Sequence, residues 1–256
     1  MPATGESPDY VQNILESLRS KKRTYLSGEH VTDSLGATSL TILAGPIGVQ
    51  KNETRREVIR ISDEEDYTIS EVNPTYTRAR HLDDPIGART ANEGVTFEEL
   101  NDAVINGSLV NFDVIGDNIE ATYRSGFPGR YNIGSAPTDS ILHMMNAGFY
   151  DCNVAFMVTD GETHERQLRT ERATYPDFIP RVIDGLELLE FAKMNIQSNW
   201  LHAVEIPSGL DGPTKAARKV INIVRHQTSE IISDDQALHY IGEMWEALQR
   251  VAHDVH

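Results

Sequence analysis

The chain has 256 residues, 39% of them hydrophobic, and its 39 acidic and 23 basic residues give a formal net charge of −16. There is no run of roughly 18 apolar residues, and the first ten residues have neither a basic end nor an apolar stretch. We therefore expect neither a transmembrane helix nor a secretory signal. The single cysteine, Cys152, excludes an internal disulfide.

The charge balance restricts the kinds of partner. The basic residues comprise 17 Arg and 6 Lys, and such an acidic, lysine-poor surface suits a halophilic cytoplasm, where salt screens self-repulsion. An acidic protein of a mesophile is the alternative. General nucleic-acid binding is not expected, because affinity for phosphates comes from clustered Lys and Arg, and no membrane partner is expected either.

The first predicted element is a helix. Ser7 can cap it, and Pro8 suits its first turn. One apolar stripe follows at helical spacing, formed by Val11, Ile14, Leu15 and Leu18. A helix of about three turns must pack on something, and two alternatives stay open, its own domain or a neighbouring subunit.

The following segments favour strands. TSLTILAGPIGV and REVIRIS are interpreted as strands around a turn-like QKNET, and DYTISEV as a third strand. Residues 74–94 hold two Pro and two Gly with little apolar content, which predicts a long loop or arm of the kind that partners often hold.

The middle of the chain mixes short helices with strands. FEELNDAVI predicts a helix, SLVNFDVIGDNIEATYRSG a hairpin around Gly116, and FPGRYNIGSAP an irregular link. A helix capped by Thr138 or Asp139 then ends at Gly148, and CNVAFMVT is predicted as a strand.

The remaining residues are predicted to be helical. PRVIDGLELLEFAKMNIQSNW is apolar nearly all round, a helix opens at Thr214, and Ser233 with Gln236 forms a capping box for the final helix. The predicted fold is therefore α+β, with a β-rich N-terminal half containing hairpins and a helical C-terminal third. Three regions are expected, 1–36, 37–172 and 173–256, packed as one domain.

The stretch VTDGETHERQLR at 158–169 offers two interpretations. Asp160-Gly161 is a strong hairpin signal, so the acids there are interpreted as a solvated turn. The alternative is a metal or acid–base cluster of Asp160, Glu162 and His164, because alternate residues share a face of an extended backbone.

No motif for a nucleotide or another cofactor is found, and no cofactor is predicted. GPIG at 45–48 is not followed by the Lys-Ser/Thr pair of a P-loop. YVQNILESLRSKKRTYLSGEHVTD resembles the start of the 4-hydroxyphenylacetate 3-hydroxylase family, whose flavin-linked members are helical where strands follow here. AVEIPSGLDG is similar to a box of the NAD(P)H-hydrate epimerases, whose Gly-rich Rossmann-like segment has no counterpart upstream. No functional residue is carried over from either family.

These patterns favour a structural or assembly protein, of a virion shell or connector type, in a halophile or its virus. It would self-associate as a homo-oligomer or dock on other protein subunits, in the cytoplasm or in a virion. The expected interface combines the stripe of the first helix with the arginines of the arm, namely Val11, Ile14, Leu15, Leu18, Arg78, Arg80 and Arg89. The alternative is a metal- or acid–base-dependent enzyme of unknown reaction, centred on Asp160–His164.

Overall fold

The computed structural model describes residues 7–81, 84–136, 138–173, 178–227 and 231–254. It is a mixed α/β structure, 52% helical and 18% strand. The α-helices are α1 (Pro8–Lys21), α2 (Glu29–Leu35), α3 (Lys51–Glu64), α4 (Phe97–Ile105), α5 (Thr138–Met145), α6 (Gly161–Arg172), α7 (Phe178–Asn195), α8 (Gly212–Val224) and α9 (Asp234–His253). The strands are β1 (Ser39–Ala44), β2 (Ile69–Glu71), β3 (Thr75–Tyr76), β4 (Leu109–Ile115), β5 (Asn118–Tyr123), β6 (Tyr131–Ser135), β7 (Asp151–Val158) and β8 (Leu201–Glu205).

The chain divides into two compact units, each built from three separate stretches. Unit 1 consists of Met1–Leu40, Ser70–Asn132 and Asp139–Cys152, and unit 2 of Thr41–Ile69, Ile133–Thr138 and Asn153–His256. The regions expected from sequence were contiguous stretches, whereas these units interleave along the chain.

Unit 1 contains a three-stranded antiparallel sheet in the order β3-β5-β4. The β4–β5 hairpin confirms the prediction around Gly116, which has a φ of 57° and allows the tight reversal between Ile115 and Asn118. Tyr25 is tied to the edge of β4, because its hydroxyl donates to the carbonyl of Leu109 at 2.8 Å and accepts from the amide of the same residue at 3.1 Å.

The apolar stripe of α1 is buried in the core of unit 1. Its four residues pack in one cluster with residues of α4 and with Phe112 of β4. The cluster includes Val11, Ile14, Leu15, Leu18, Phe97 and Leu100. Of the two alternatives for α1, the structure shows the first: the helix packs on its own domain.

The arginines of the 74–94 arm have acidic partners within unit 1. Arg78 forms a salt bridge with Asp84 at 2.6 Å, and Arg80 pairs with Glu93 at 2.8 Å. A third salt bridge joins Arg89 to Glu99 at 3.0 Å. The arginines expected at a subunit interface thus have carboxylate partners within the chain itself, and residues 82–83 of the arm lie outside the described residues.

Most of the five-stranded parallel sheet belongs to unit 2, with strand order β2-β6-β1-β7-β8. All six residues of β1, the middle strand, are buried. β7 pairs in parallel with β8, from Val154 opposite Leu201 to Val158 opposite Glu205. A strand that is buried along its whole length is typical of a parallel sheet covered on both faces. Helix α3 packs against α8, and α9 packs against α6 and α7.

The predicted division into a β-rich first half and a helical last third is not confirmed, because β8 lies in the last third and four helices precede β4. REVIRIS, predicted as a strand, lies in α3. Its buried residues continue a pattern from Thr54 to Val58 and Ile61, which is the i, i+4, i+7 spacing of a helix face. The turn-like QKNET contains the start of the same helix. No helix of the described ranges has the length and apolar character needed to cross a membrane.

Candidate functional site

A curled loop joins the end of β1 to the start of α3. Its backbone is left-handed at Gly45 (φ 146°), Gly48 (φ 85°) and Gln50 (φ 49°). At Gly45 a side chain is excluded as well, because a Cβ atom would lie 3.0 Å from the carbonyl oxygen of Met157 and 3.0 Å from Cγ2 of Val49. The loop therefore depends on glycine where the central strand ends.

Lys51 closes this loop. It is the first residue of α3, and its Nζ donates to the carbonyl of Gly45 at 2.6 Å and to that of Pro46 at 2.7 Å. Burial lowers the pKa of Lys51 to about 8, since loss of hydration disfavours the ammonium form, while nearby Glu171 acts in the opposite direction. At neutral pH the side chain is therefore still mostly a cation.

The loop and the helix start together favour anions. Gln50 provides no side-chain cap for α3, so the first amide groups of the helix receive no acceptor from it. A helix start also carries a partial positive charge. Amides of a left-handed turn next to such a helix start form a concavity that suits phosphate or carboxylate groups.

His164 of α6 supports the loop from the protein interior. The imidazole is fully buried, and its Nε2 lies 2.8 Å from the carbonyl oxygen of Ile47. Burial lowers the pKa of His164 to about 4, so the ring is neutral and its Nε2–H donates to that carbonyl. A Cβ atom on Gly48 would lie 3.3 Å from Cδ2 of the ring. His164 therefore holds the shape of the loop.

The structure does not bring Asp160, Glu162 and His164 together. Asp160 is the N-cap of α6, where its side chain accepts from the amide of Thr163 at 2.8 Å, and Glu162 is exposed. The predicted hairpin tip is wrong, because Asp160-Gly161 begins a helix instead of reversing a strand. Within the described ranges, no three His, Cys, Asp or Glu side chains are grouped so that they could hold a metal ion.

An acidic residue, Glu171, lies in the last turn of α6 and is half-buried. It interacts electrostatically with Lys51 and Arg181. Burial raises the pKa of Glu171, and these interactions oppose that effect. The charges of Glu171 and Lys51 thus raise and lower each other's pKa as expected for an acid and a base: Lys51 lowers that of Glu171, and Glu171 raises that of Lys51.

This loop was not predicted from the sequence. From Gly45 to Asn52 the sequence is GPIGVQKN, whereas the P-loop motif is G-x-x-x-x-G-K-[ST]. Two positions depart from the motif, Gln50 in place of Gly and Asn52 in place of Ser or Thr. The signal that could have found the loop is the apolar strand directly before Gly45 combined with a lysine at the motif's position.

No known protein family matches the chain, and no curated protein shows significant sequence similarity to it. Among solved structures, it is similar to guanylate kinase from Anaplasma phagocytophilum, with a TM-score of 0.46 and 11% identity over 77% of this chain and 88% of that chain. It is also similar to a structure from the PezAT chromosomal toxin–antitoxin system of the human pathogen Streptococcus pneumoniae. That TM-score is 0.33, with 13% identity over 98% of this chain and 100% of that chain.

The prediction of a structural or assembly protein is therefore wrong. The structural neighbours are a nucleotide kinase and a toxin–antitoxin protein, neither of them a virion shell or connector, and nothing in the comparisons points to a halophilic source or an assembly role. The alternative, an enzyme centred on Asp160–His164, is not supported either, because His164 is a buried support of the loop.

Proposed function

We propose that unit 2 binds the polyphosphate group of a nucleotide at the loop 45–51, with Lys51 as the cation. The observation that carries this proposal is the shape of the loop, whose left-handed backbone at Gly45, Gly48 and Gln50 leads into the start of α3, with Lys51 as the first residue of that helix. A left-handed turn at a helix start offers backbone amides and a positive charge to an oxyanion such as phosphate.

The position of the loop supports the same function. It follows β1, the middle strand of the sheet, and β1 has β6 on one side and β7 on the other. In open parallel sheets, ligands bind outside the carboxyl ends of the strands, where successive connections leave in opposite directions. The β1–α3 loop lies at such a point.

The two departures from the P-loop motif change how the phosphates would be held. In the motif the Ser or Thr hydroxyl binds Mg²⁺, whereas Asn52 has an amide and no hydroxyl. The backbone of Gln50 is left-handed although the residue is not a glycine, and this conformation costs about 1 kcal/mol. We therefore assign the binding chiefly to Lys51 and the loop amides, so that ATP should bind in the absence of Mg²⁺.

Isothermal titration calorimetry with ATP, in EDTA and then with Mg²⁺, tests this proposal. Lys51→Ala should weaken ATP binding by about 10- to 100-fold, because a charged hydrogen bond contributes about 1.5–3 kcal/mol. Lys193→Ala is the matched control, since Lys193 is an exposed residue of α7, and it should bind ATP as the wild type does. Equal affinities of Lys51→Ala and the wild type would contradict the assignment.

A further inference from the structure

Side chains of the protein bind the first three carbonyl groups of the loop 45–51. The Nζ of Lys51 donates to the carbonyls of Gly45 and Pro46, at 2.6 and 2.7 Å. The Nε2 of His164 donates to the next one, that of Ile47, at 2.8 Å. The backbone of the loop is therefore held at two places, once by its own lysine and once by an imidazole from α6.

The hydrogen bond from His164 fixes the direction of the amide of Gly48. A trans peptide places its carbonyl group and the N–H of the following residue on opposite sides, and the peptide bonds of the described ranges are trans. Since the carbonyl of Ile47 points to the imidazole, the N–H of Gly48 points away from it. The imidazole is fully buried, so this N–H is directed away from the helix that supports the loop.

The glycine at position 48 makes this direction depend on the hydrogen bond. Rotation of the peptide between Ile47 and Gly48 requires a large change in φ of Gly48, which is 85° in the structure. Glycine adopts positive and negative φ about equally well, so its own conformation does not prevent the rotation. A rotated peptide would turn the carbonyl oxygen of Ile47 to the side of the present N–H, where its partial negative charge would repel an oxyanion.

We propose that His164 is a positioning residue for oxyanion binding, which holds the carbonyl of Ile47 and thereby presents the N–H of Gly48 to a phosphate group. His164 makes no contact with the phosphate itself. This inference rests on the phosphate-binding function proposed for the loop. It divides the work between two side chains, with Lys51 supplying the charge and His164 the orientation of a backbone donor.

Three substitutions in α6 separate the donor from the packing. His164→Leu removes the donor and keeps a side chain in its place, whereas His164→Gln keeps an N–H donor. Leu168→Val is the packing control, because Leu168 is buried and its Cδ2 lies 3.4 Å from the position of a Cβ atom on Gly48. Each variant is titrated with ATP in EDTA at neutral pH by calorimetry, after circular dichroism has shown that it is folded.

The three variants should differ in their affinity for ATP. His164→Leu should bind at least about tenfold more weakly than the wild type, since a hydrogen bond to a charged group is lost. His164→Gln should stay within about threefold of the wild type because it keeps the donor, and Leu168→Val likewise because the carbonyl of Ile47 stays bound. Equal affinities of His164→Leu and the wild type, or equal weakening in His164→Leu and His164→Gln, would overturn the positioning role.

The amide of Gly48 provides a readout that a purely structural role of His164 would not change. In nuclear magnetic resonance spectra of the wild type, the Gly48 amide proton should move downfield when sulfate is added, because it then donates to an anion. The same movement is expected in His164→Gln and not in His164→Leu. If His164→Leu does not fold, the wild type still decides, since a Gly48 amide that does not respond to sulfate would overturn the proposal.

The outcomes separate this inference from the proposed function. ATP binding that is lost in Lys51→Ala and fully retained in His164→Leu would overturn the positioning role and leave the function standing. No ATP binding by the wild type would overturn both. Loss of binding in Lys51→Ala, together with weakening in His164→Leu and recovery in His164→Gln, would support both.

Discussion

Replacing His164 with glutamine is expected to remove a pH-dependent part of the stability of unit 2. In the wild type, the buried neutral imidazole donates to the carbonyl of Ile47 at 2.8 Å. The amide nitrogen of glutamine can donate to the same oxygen, and it does not titrate. The substitution therefore keeps a donor at the loop while removing the group whose protonation the fold disfavours.

The size of the effect follows from the two pKa values of His164. Its pKa is 6.5 in an exposed chain and about 4 in the fold. Above the first value both states are neutral, whereas between the two values the unfolded chain takes up a proton that the folded chain excludes. The free energy of unfolding therefore falls as the pH drops through this window. At about 1.4 kcal/mol per pH unit, the loss amounts to about 3 kcal/mol by pH 4.

Urea denaturation at about pH 7 and about pH 4.5 measures this loss. Both tryptophans, Trp200 and Trp245, belong to unit 2, so their fluorescence reports its unfolding. Carboxylates that titrate in this range are shared by wild type and variant, so the difference between the two isolates His164. His239→Gln, at an exposed site of α9, should behave as the wild type. An equal loss of stability in His164→Gln and the wild type would refute the reasoning.

Two further substitutions test the packing around the loop. Gly45→Ala should lower the free energy of unfolding by about 2 kcal/mol or more, because φ is 146° and a Cβ atom would press on Met157 and Val49. The helical Gly242→Ala, with nothing within 4 Å, should raise it by about 1 kcal/mol. Equal urea midpoints for these two variants would contradict the requirement for glycine. Thr54→Val should leave the melting temperature unchanged or raise it, because the buried hydroxyl of Thr54 has no hydrogen-bond partner among the described residues. A clear fall in the melting temperature would show that the hydroxyl is hydrogen-bonded.

Elements set by local signals were predictable from the sequence. The hairpin of unit 1 has a glycine turn between alternating strands, and both signals lie within a few residues of each other. The final helix begins as predicted at the cap Ser233, whose hydroxyl accepts from the amide of Gln236. In both cases neighbouring residues decide the structure without help from the rest of the chain.

Elements decided by distant contacts were not predictable in this way. Asp160-Gly161 fits a hairpin turn as well as a helix start, and the residues that decide between them are His164 and Leu168, which pack at helical spacing beneath Gly48. Strand β8 was missed because the short LHAVE shows its role only when paired with β7. Tertiary packing selected one of several local conformations at each of these places.

The candidate site was missed for a related reason. Its parts come from the loop 45–51 and from α6, so no contiguous pattern contains them. The one contiguous clue, the motif itself, is altered at Gln50 and Asn52, and QKNET was consequently interpreted as a turn. The glycines and Lys51 could be read from the sequence, but their structural role depends on α6, which supports the loop.

Because the two units interleave along the chain, the order of translation decides which parts of each unit can fold first. A chain leaves the ribosome N-terminus first, so the last stretch of unit 1 emerges at Cys152, before α6 has been made. The loop 45–51 is translated early. His164, which contacts this loop, is translated only with α6, and α9, which packs against α6, is translated last. A nascent chain halted before α6 would carry the whole loop sequence and still lack the imidazole that holds the shape of the loop.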